Sequence, residues 1–226
     1  MKRLRPTLFP RRKPTRRSLL KIYQVLFRHY GHRGWWPGQT PFEVIVGAIL
    51  TQNTAWRNVE KAIANLKREH LLTPTAMRKV ARARLATLIR SAGYFNIKTD
   101  RIKSFVDFLW AHYRGSLKRM FQTEVERLRN ELLNVKGIGE ETADSILLYA
   151  GGKLFFVVDA YTRRVLARHR YLGGDEDYSD IQRIFSQLLP KSTNLYNDYH
   201  AQLVEVGKGF CKTQPVCESC PLRSLL

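Results

Sequence analysis

Apolar residues recur every three or four positions along nearly the whole chain, as in Leu19, Leu20, Ile22, Tyr23, Leu26 and Phe27. That spacing lays one apolar stripe along each of a succession of α-helices. No segment alternates apolar and polar side chains as a half-buried strand must, so the chain is expected to be all-α. The pattern predicts helices over roughly 18–30, 41–50, 55–69, 74–81, 84–92, 97–113, 117–122, 124–133, 140–150, 160–168, 179–188 and 192–208. Gly- and Pro-rich breaks at Gly31 to Thr40, Gly93 to Asn96, Val135 to Gly139, Gly151 to Lys153 and Gly173 to Tyr178 separate them. One apolar run, Leu154 to Val158, is too short for a helix and ends on Asp159. The helical pattern that resumes at Ala160 makes Asp159 an N-cap, beside the positive end of a helix dipole.

The chain has 226 residues, 44% of them hydrophobic, enough for one domain or for two small lobes. Its 39 Lys and Arg outnumber 19 Asp and Glu, and a formal charge of +20 points to a polyanionic partner, nucleic acid above all. A membrane is not the expected partner, because no apolar run approaches the roughly 20 residues that span a bilayer. The start, MKRLRPTLFPRRKPTRR, has no apolar stretch of the kind that directs export, so the cytoplasm is the expected location, with nucleoid association if the source is prokaryotic. Residues 1–17 are expected to form a basic flexible arm, solvated or phosphate-binding. The three cysteines, Cys211, Cys217 and Cys220, crowd into a tail spanning 211–226, which speaks against a disulfide framework and for a metal site or its remnant.

The segment LLNVKGIGEETA, from Leu132 to Ala143, reads as a helix end, a tight glycine turn and a fresh helix start. Such a hairpin, expected over about 124–150, presents free amide N–H groups to a phosphate. Gly137 and Gly139 give a permissive backbone and Ile138 an apolar plug, so Lys136, Gly137, Ile138, Gly139 and Thr142 are candidate DNA contacts.

VKGIGEETADSILLYA followed by FFVVDAYTRRVLARH resembles the helix-hairpin-helix and Asp-bearing loop of the endonuclease III superfamily of DNA glycosylases. PFEVIVGAILTQNTAWRNV and SAGYFNIKTDRI extend the resemblance over roughly residues 18–220. The WWPG stretch, TQNT, the GIGxE turn and VVD are most similar to the type III 3-methyladenine DNA glycosylases. The resemblance implies a two-lobed helical helix-hairpin-helix glycosylase fold with a central cleft over 18–210, acting on double-stranded DNA that carries a damaged base, and a monomer. It makes Asp159 the catalytic carboxylate, which steadies the positive charge that grows on the sugar as the glycosidic bond breaks and orients or deprotonates the attacking water.

Bifunctional members carry a Schiff-base lysine near the start of the second hairpin helix, and here that position is Glu141. A carboxylate forms no imine, so base removal by water without strand nicking is expected. The resemblance puts Trp35, Trp36, Pro37 and Trp56 around the extruded base, where flat faces replace lost stacking and favour a cationic alkylated purine. Glu141 and Lys208 complete that set. Gln52 and Asn53 stand where the family inserts a side chain into the gap left in the duplex. No cofactor is expected to be needed for catalysis. Cys211, Cys217 and Cys220 resemble three of the four ligands of a [4Fe–4S] cluster, and the fourth position is taken by Leu226, so the cluster motif is incomplete. The alternatives are a thymine or uracil mismatch glycosylase, an endonuclease III-like glycosylase and lyase, and a non-catalytic DNA-binding hairpin module.

Overall fold

The computed structural model describes residues 10–226, and among them there are helices and no strand. The first nine residues of the expected basic arm lie outside the described residues. From Arg11 onward that stretch is held in place: Arg11 pairs with Glu176, the Arg12 N–H donates to the Arg170 carbonyl (2.9 Å), and Thr15 caps a helix that already begins at Arg16.

The chain divides into two compact units, one formed by residues up to Trp35 together with Leu154–Leu226, the other by Trp36–Lys153. The first contains α1 (Arg16–Tyr30). The second contains α2 (Pro41–Thr51), α3 (Trp56–Arg68), α4 (Pro74–Lys79), α5 (Arg82–Leu88), α6 (Phe95–Tyr113), α7 (Leu117–Gln122), α8 (Val125–Leu133) and α9 (Glu140–Ser145). The first unit resumes with α10 (Ala160–Arg168), α11 (Tyr178–Leu188) and α12 (Thr193–Gly209). The Cys-bearing segment expected as a separate tail belongs to this unit.

In the Trp36–Lys153 unit, α2 is apolar apart from Glu43 in its first turn and is buried from Phe42 through Leu50, as befits a central helix. Thr40 caps it by accepting the Glu43 N–H (3.1 Å), with Pro41 in the first turn, where its missing N–H costs nothing. α3, α6 and α9 pack around it. α6 contributes two buried lysines. The Lys98 ammonium donates to the carbonyls of Leu50 (2.7 Å) and Ala92 (2.8 Å), so it closes the end of α2 just before the Gln52 turn; burial, then the charge of Arg101, pull its pKa down to about 8. Lys103 closes the end of α4 through the Met77 carbonyl (2.7 Å).

Two expected helices are interrupted. That over 84–92 breaks at Ile89 into α5 and a 3-10 turn, Arg90–Ala92. That over 140–150 is α-helical only to Ser145 and widens into a π turn, Ile146–Ala150.

In the other unit, the run Phe155 to Val158 is buried, and Phe156 stacks on Phe185 with ring centres 3.8 Å apart. Tyr196 and Tyr199 meet the same ring edge-on, which fixes α12 beneath the segment that ends at Asp159. α12 packs on both α1 and α10. No helix among the described residues is long and apolar enough to cross a membrane.

Candidate functional site

Asp159 sits where the buried run meets α10. Its Oδ1 accepts the Thr162 N–H (2.7 Å), so it is the N-cap that the sequence suggests, with an 11% exposed side chain. Its Oδ2 lies 3.5 Å from Nε2 of His200 on α12. Burial works against the charged form, but the His200 imidazole and the Thr162 hydrogen bonds outweigh it and hold the carboxyl below the usual aspartate range. The group is therefore ionised at neutral pH. Seven residues along the same helix, Gly207 meets Tyr161: a Cβ there would overlap the Tyr161 ring, so its absence lets the first turn of α10 settle onto α12. In the same unit the exposed Lys208 ammonium lies 5.5 Å from the centre of the Trp35 ring.

The other aromatic candidates gather in the Trp36–Lys153 unit. Trp36 and Trp56 meet edge to face at 5.2 Å, and Tyr149 leans on Trp36 at 5.2 Å. The π turn carries Tyr149, a common use of such an irregularity. Trp36, Pro37 and Trp56 line a cavity of about 210 Å³ together with Gly47, Ile63, Glu43 and Glu60. The Trp56 indole N–H donates to Glu60 (2.8 Å), and the buried Glu43 pairs with Lys67 (2.8 Å). The structure thus groups Trp36, Pro37 and Trp56 in one cavity and Trp35 with Lys208 in the other unit.

The hairpin joins α8 to α9 through Gly137, whose φ of +87° falls in the left-handed region, while Ile138 is buried as its apolar plug. The guanidinium of Arg129 on α8 grips the fully buried Asp144 on α9 from two nitrogens (2.7 and 3.2 Å), bracing the two helices. Lys136, Gly139 and Glu141 are not buried, and Glu141 lies in the first turn of α9. Gln52, half-buried, donates through Nε2 to the Gly137 carbonyl (3.0 Å) and the Thr142 hydroxyl (2.9 Å), and its Oε1 accepts from Arg101. Its neighbour Asn53 is exposed, with φ +53°. The turn carrying Gln52 and Asn53 is therefore bonded to the hairpin itself.

His200, Arg101, Arg129, Tyr149 and Glu60 were absent from the sequence-derived set. Only His200 left a trace in the sequence, as a polar residue set seven positions before Gly207 in an otherwise apolar helix face.

Cys211, Cys217 and Cys220 line a cavity of about 20 Å³ with Val206, Phe210 and Leu222, room for about one water molecule. Leu226 lines it too, where a fourth thiolate would be needed. Burial, reinforced by the neighbouring sulfurs, raises the Cys220 thiol, and Arg168 donates to Cys211 Sγ (3.2 Å). No group of three or more His, Cys, Asp or Glu among the described residues is arranged to hold a metal ion. This donor set does not fit a four-thiolate cluster.

The sequence pattern of HhH-GPD superfamily base excision DNA repair proteins matches residues 46–191. A protein of Methanocaldococcus jannaschii provisionally named a DNA repair glycosylase is 46% identical over 207 residues, 91% of this chain and 94% of that one. Endonuclease III of Sulfolobus acidocaldarius is 29% identical over 184 residues, 80% of this chain and 79% of its own. Among solved structures, the Helicobacter pylori 3-methyladenine DNA glycosylase bound to 1,N6-ethenoadenine superposes with a TM-score of 0.73 at 27% identity, covering 84% of this chain and 97% of that one. With its glycine hairpin, its capped aspartate and these likenesses, the chain belongs to the HhH-GPD superfamily of base excision DNA repair proteins and is a DNA repair glycosylase of that family.

Proposed function

We propose that the protein is a monofunctional glycosylase that extrudes an alkylated purine of the 3-methyladenine kind from duplex DNA and hydrolyses its N-glycosidic bond with the help of Asp159. The observation that carries this reading is the setting of Asp159: a carboxylate that accepts an amide of the first turn of α10 and lies 3.5 Å from an imidazole. As the bond from C1′ to the base nitrogen lengthens, the base takes the bonding electron pair and the sugar becomes cationic. The carboxylate stabilises that cation, and water adds to C1′ and loses its proton to the carboxylate or to solvent. An alkylated purine already carries positive charge, which the departing electron pair neutralises, so no strong acid on the enzyme is required.

Two features support the choice of base. The Trp36 and Trp56 rings offer electron-rich faces and Glu60 puts a carboxylate on the same cavity wall, which favour a flat cation, while the charge of Glu43 there is met by Lys67. The H. pylori glycosylase with a modified adenine bound is a relative at 27% identity. Glu141 supports hydrolysis without a Schiff base, since the lysine that would form one is replaced by a group that cannot. The basic chain and the exposed backbone at Gly137 and Gly139 support duplex DNA as the partner, with Lys136 beside the phosphates.

The test is a set of duplexes each carrying one lesion, with strand breaks scored with and without hot alkali and with borohydride present. Breakage of alkylated-purine duplex only after alkali, with no trapped adduct, is the expected result. Nicking without alkali together with borohydride trapping would identify a lyase, and release of thymine or uracil from mismatches would identify the other pocket chemistry.

A further inference from the structure

We propose that His200 is the positioning residue for Asp159, holding the second carboxylate oxygen so that the group meets the sugar in one orientation. The proposal rests on the assignment of Asp159 to the reaction and extends it to a residue on another helix. The two oxygens of Asp159 have different fates: Oδ1 is engaged by the Thr162 amide, whereas Oδ2 lies 3.5 Å from His200 Nε2. Without that second contact the carboxylate would be fixed at one oxygen and free to swing about it.

The arrangement is built into the packing of α12. Its buried polar residues sort by face. Tyr199 donates to the Leu19 carbonyl (2.7 Å) and Gln202 to the Gly31 carbonyl (2.7 Å), while Asp198 accepts from the Arg33 N–H (2.8 Å) and the Tyr23 hydroxyl (3.0 Å), all toward α1 and the loop after it. His200, 5% exposed, turns instead toward the start of α10. Two turns on, on the same face, Gly207 admits the Tyr161 ring, so the first turn of α10 is registered against α12 at two points, His200 to Asp159 and Gly207 to Tyr161. A buried imidazole is costly unless polar groups lie near it, and the reacting carboxylate, 3.5 Å from Nε2, is one such group.

The experiment compares His200→Phe, which keeps the ring volume and removes both nitrogens, with His200→Gln, which retains an N–H near the place of Nε2. Both are read as single-turnover base release and as affinity for the lesion duplex, beside Asp159→Asn. We expect the phenylalanine variant to release base roughly ten- to a hundredfold more slowly, the scale that misplacing a reacting group by an ångström produces. Its duplex affinity should be unchanged, and glutamine should restore most of the rate. A phenylalanine variant within twofold of wild type, or equal losses in both variants, overturns the proposal. If the phenylalanine variant does not fold, His200→Met takes its place in the same comparison. Should Asp159→Asn abolish release while the His200 variants keep it, only this proposal fails; should Asp159→Asn keep full turnover, the reading of the reaction fails with it.

Discussion

Replacing Asp159 with asparagine is expected to slow base release by a factor on the order of 10²–10⁴ while leaving the fold intact. The two halves of that expectation have separate causes. Asparagine is as good an N-cap as aspartate, and its side-chain oxygen can still accept the Thr162 N–H, so the start of α10 keeps its hydrogen bond. What disappears is the negative charge. In wild type that charge persists at neutral pH because His200 and the Thr162 hydrogen bonds outweigh the effect of burial. A neutral amide offers little to a sugar cation and takes no proton from water. Single-turnover release from an alkylated duplex, with the thermal midpoint measured alongside, checks both halves. A slow variant that has also lost its midpoint would trace the loss to the fold instead.

Gly137→Val is expected to weaken binding to duplex DNA by about tenfold or more, the equivalent of roughly 1.4 kcal/mol. Residue 137 has φ +87°, and forcing a β-branched residue into such a conformation costs about 1–3 kcal/mol. The new Cβ would also strike the Arg101 side chain at Cγ, Cδ and Nε, and Arg101 cannot simply swing aside without releasing Gln52. Gln52 in turn bonds the Gly137 carbonyl and Thr142, so one substitution disturbs the hairpin and the neighbouring turn together. Gly139→Ala is the informative companion, since a Cβ at 139 would meet nothing within 4 Å among the described residues. Its stability should match wild type, so a loss of affinity there would report a phosphate close to the backbone. Titration of a labelled lesion duplex at fixed salt measures both variants. Equal affinity for Gly137→Val and wild type would remove the hairpin from the binding surface.

The helices were legible in the sequence because each buries one stripe, and the periodicity of α1, α6 and α12 survives into the structure with ends displaced by a residue or two. The breaks were not. Leu85, Leu88, Ile89 and Ala92 are all buried and continue a helical pattern across the point where α5 gives way to a 3-10 turn. Likewise nothing local marks the π turn at Ile146–Ala150. It accompanies the contact of Tyr149 with Trp36 and the packing of Gly151 against Phe121, which are set by tertiary structure.

The candidate site divides the same way. Asp159 could be found because a capping residue follows an apolar run within a few positions, and Gly137 because a turn between helices needs it. His200 lies far from Asp159 in sequence, and Arg101 equally far from Gln52, so their pairing becomes visible only after α12 and α6 are packed. The adjacent tryptophans show the limit most clearly. Trp35 and Trp36 are neighbours in the chain, yet the boundary between the two compact units falls between them, one facing Lys208 and the other Trp56.

Stabilisation of a cationic sugar by the Asp159 charge is tested most directly by comparing two duplexes in which the target sugar is replaced by a cationic pyrrolidine or by a neutral tetrahydrofuran. Wild-type protein should bind the cationic site at least a hundredfold more tightly, within the roughly 10²–10⁸-fold range by which transition-state analogues outbind ground states. Asp159→Asn should lose most of that preference. Equal affinity of wild type for the two duplexes, or a preference that survives the substitution unchanged, would contradict the account.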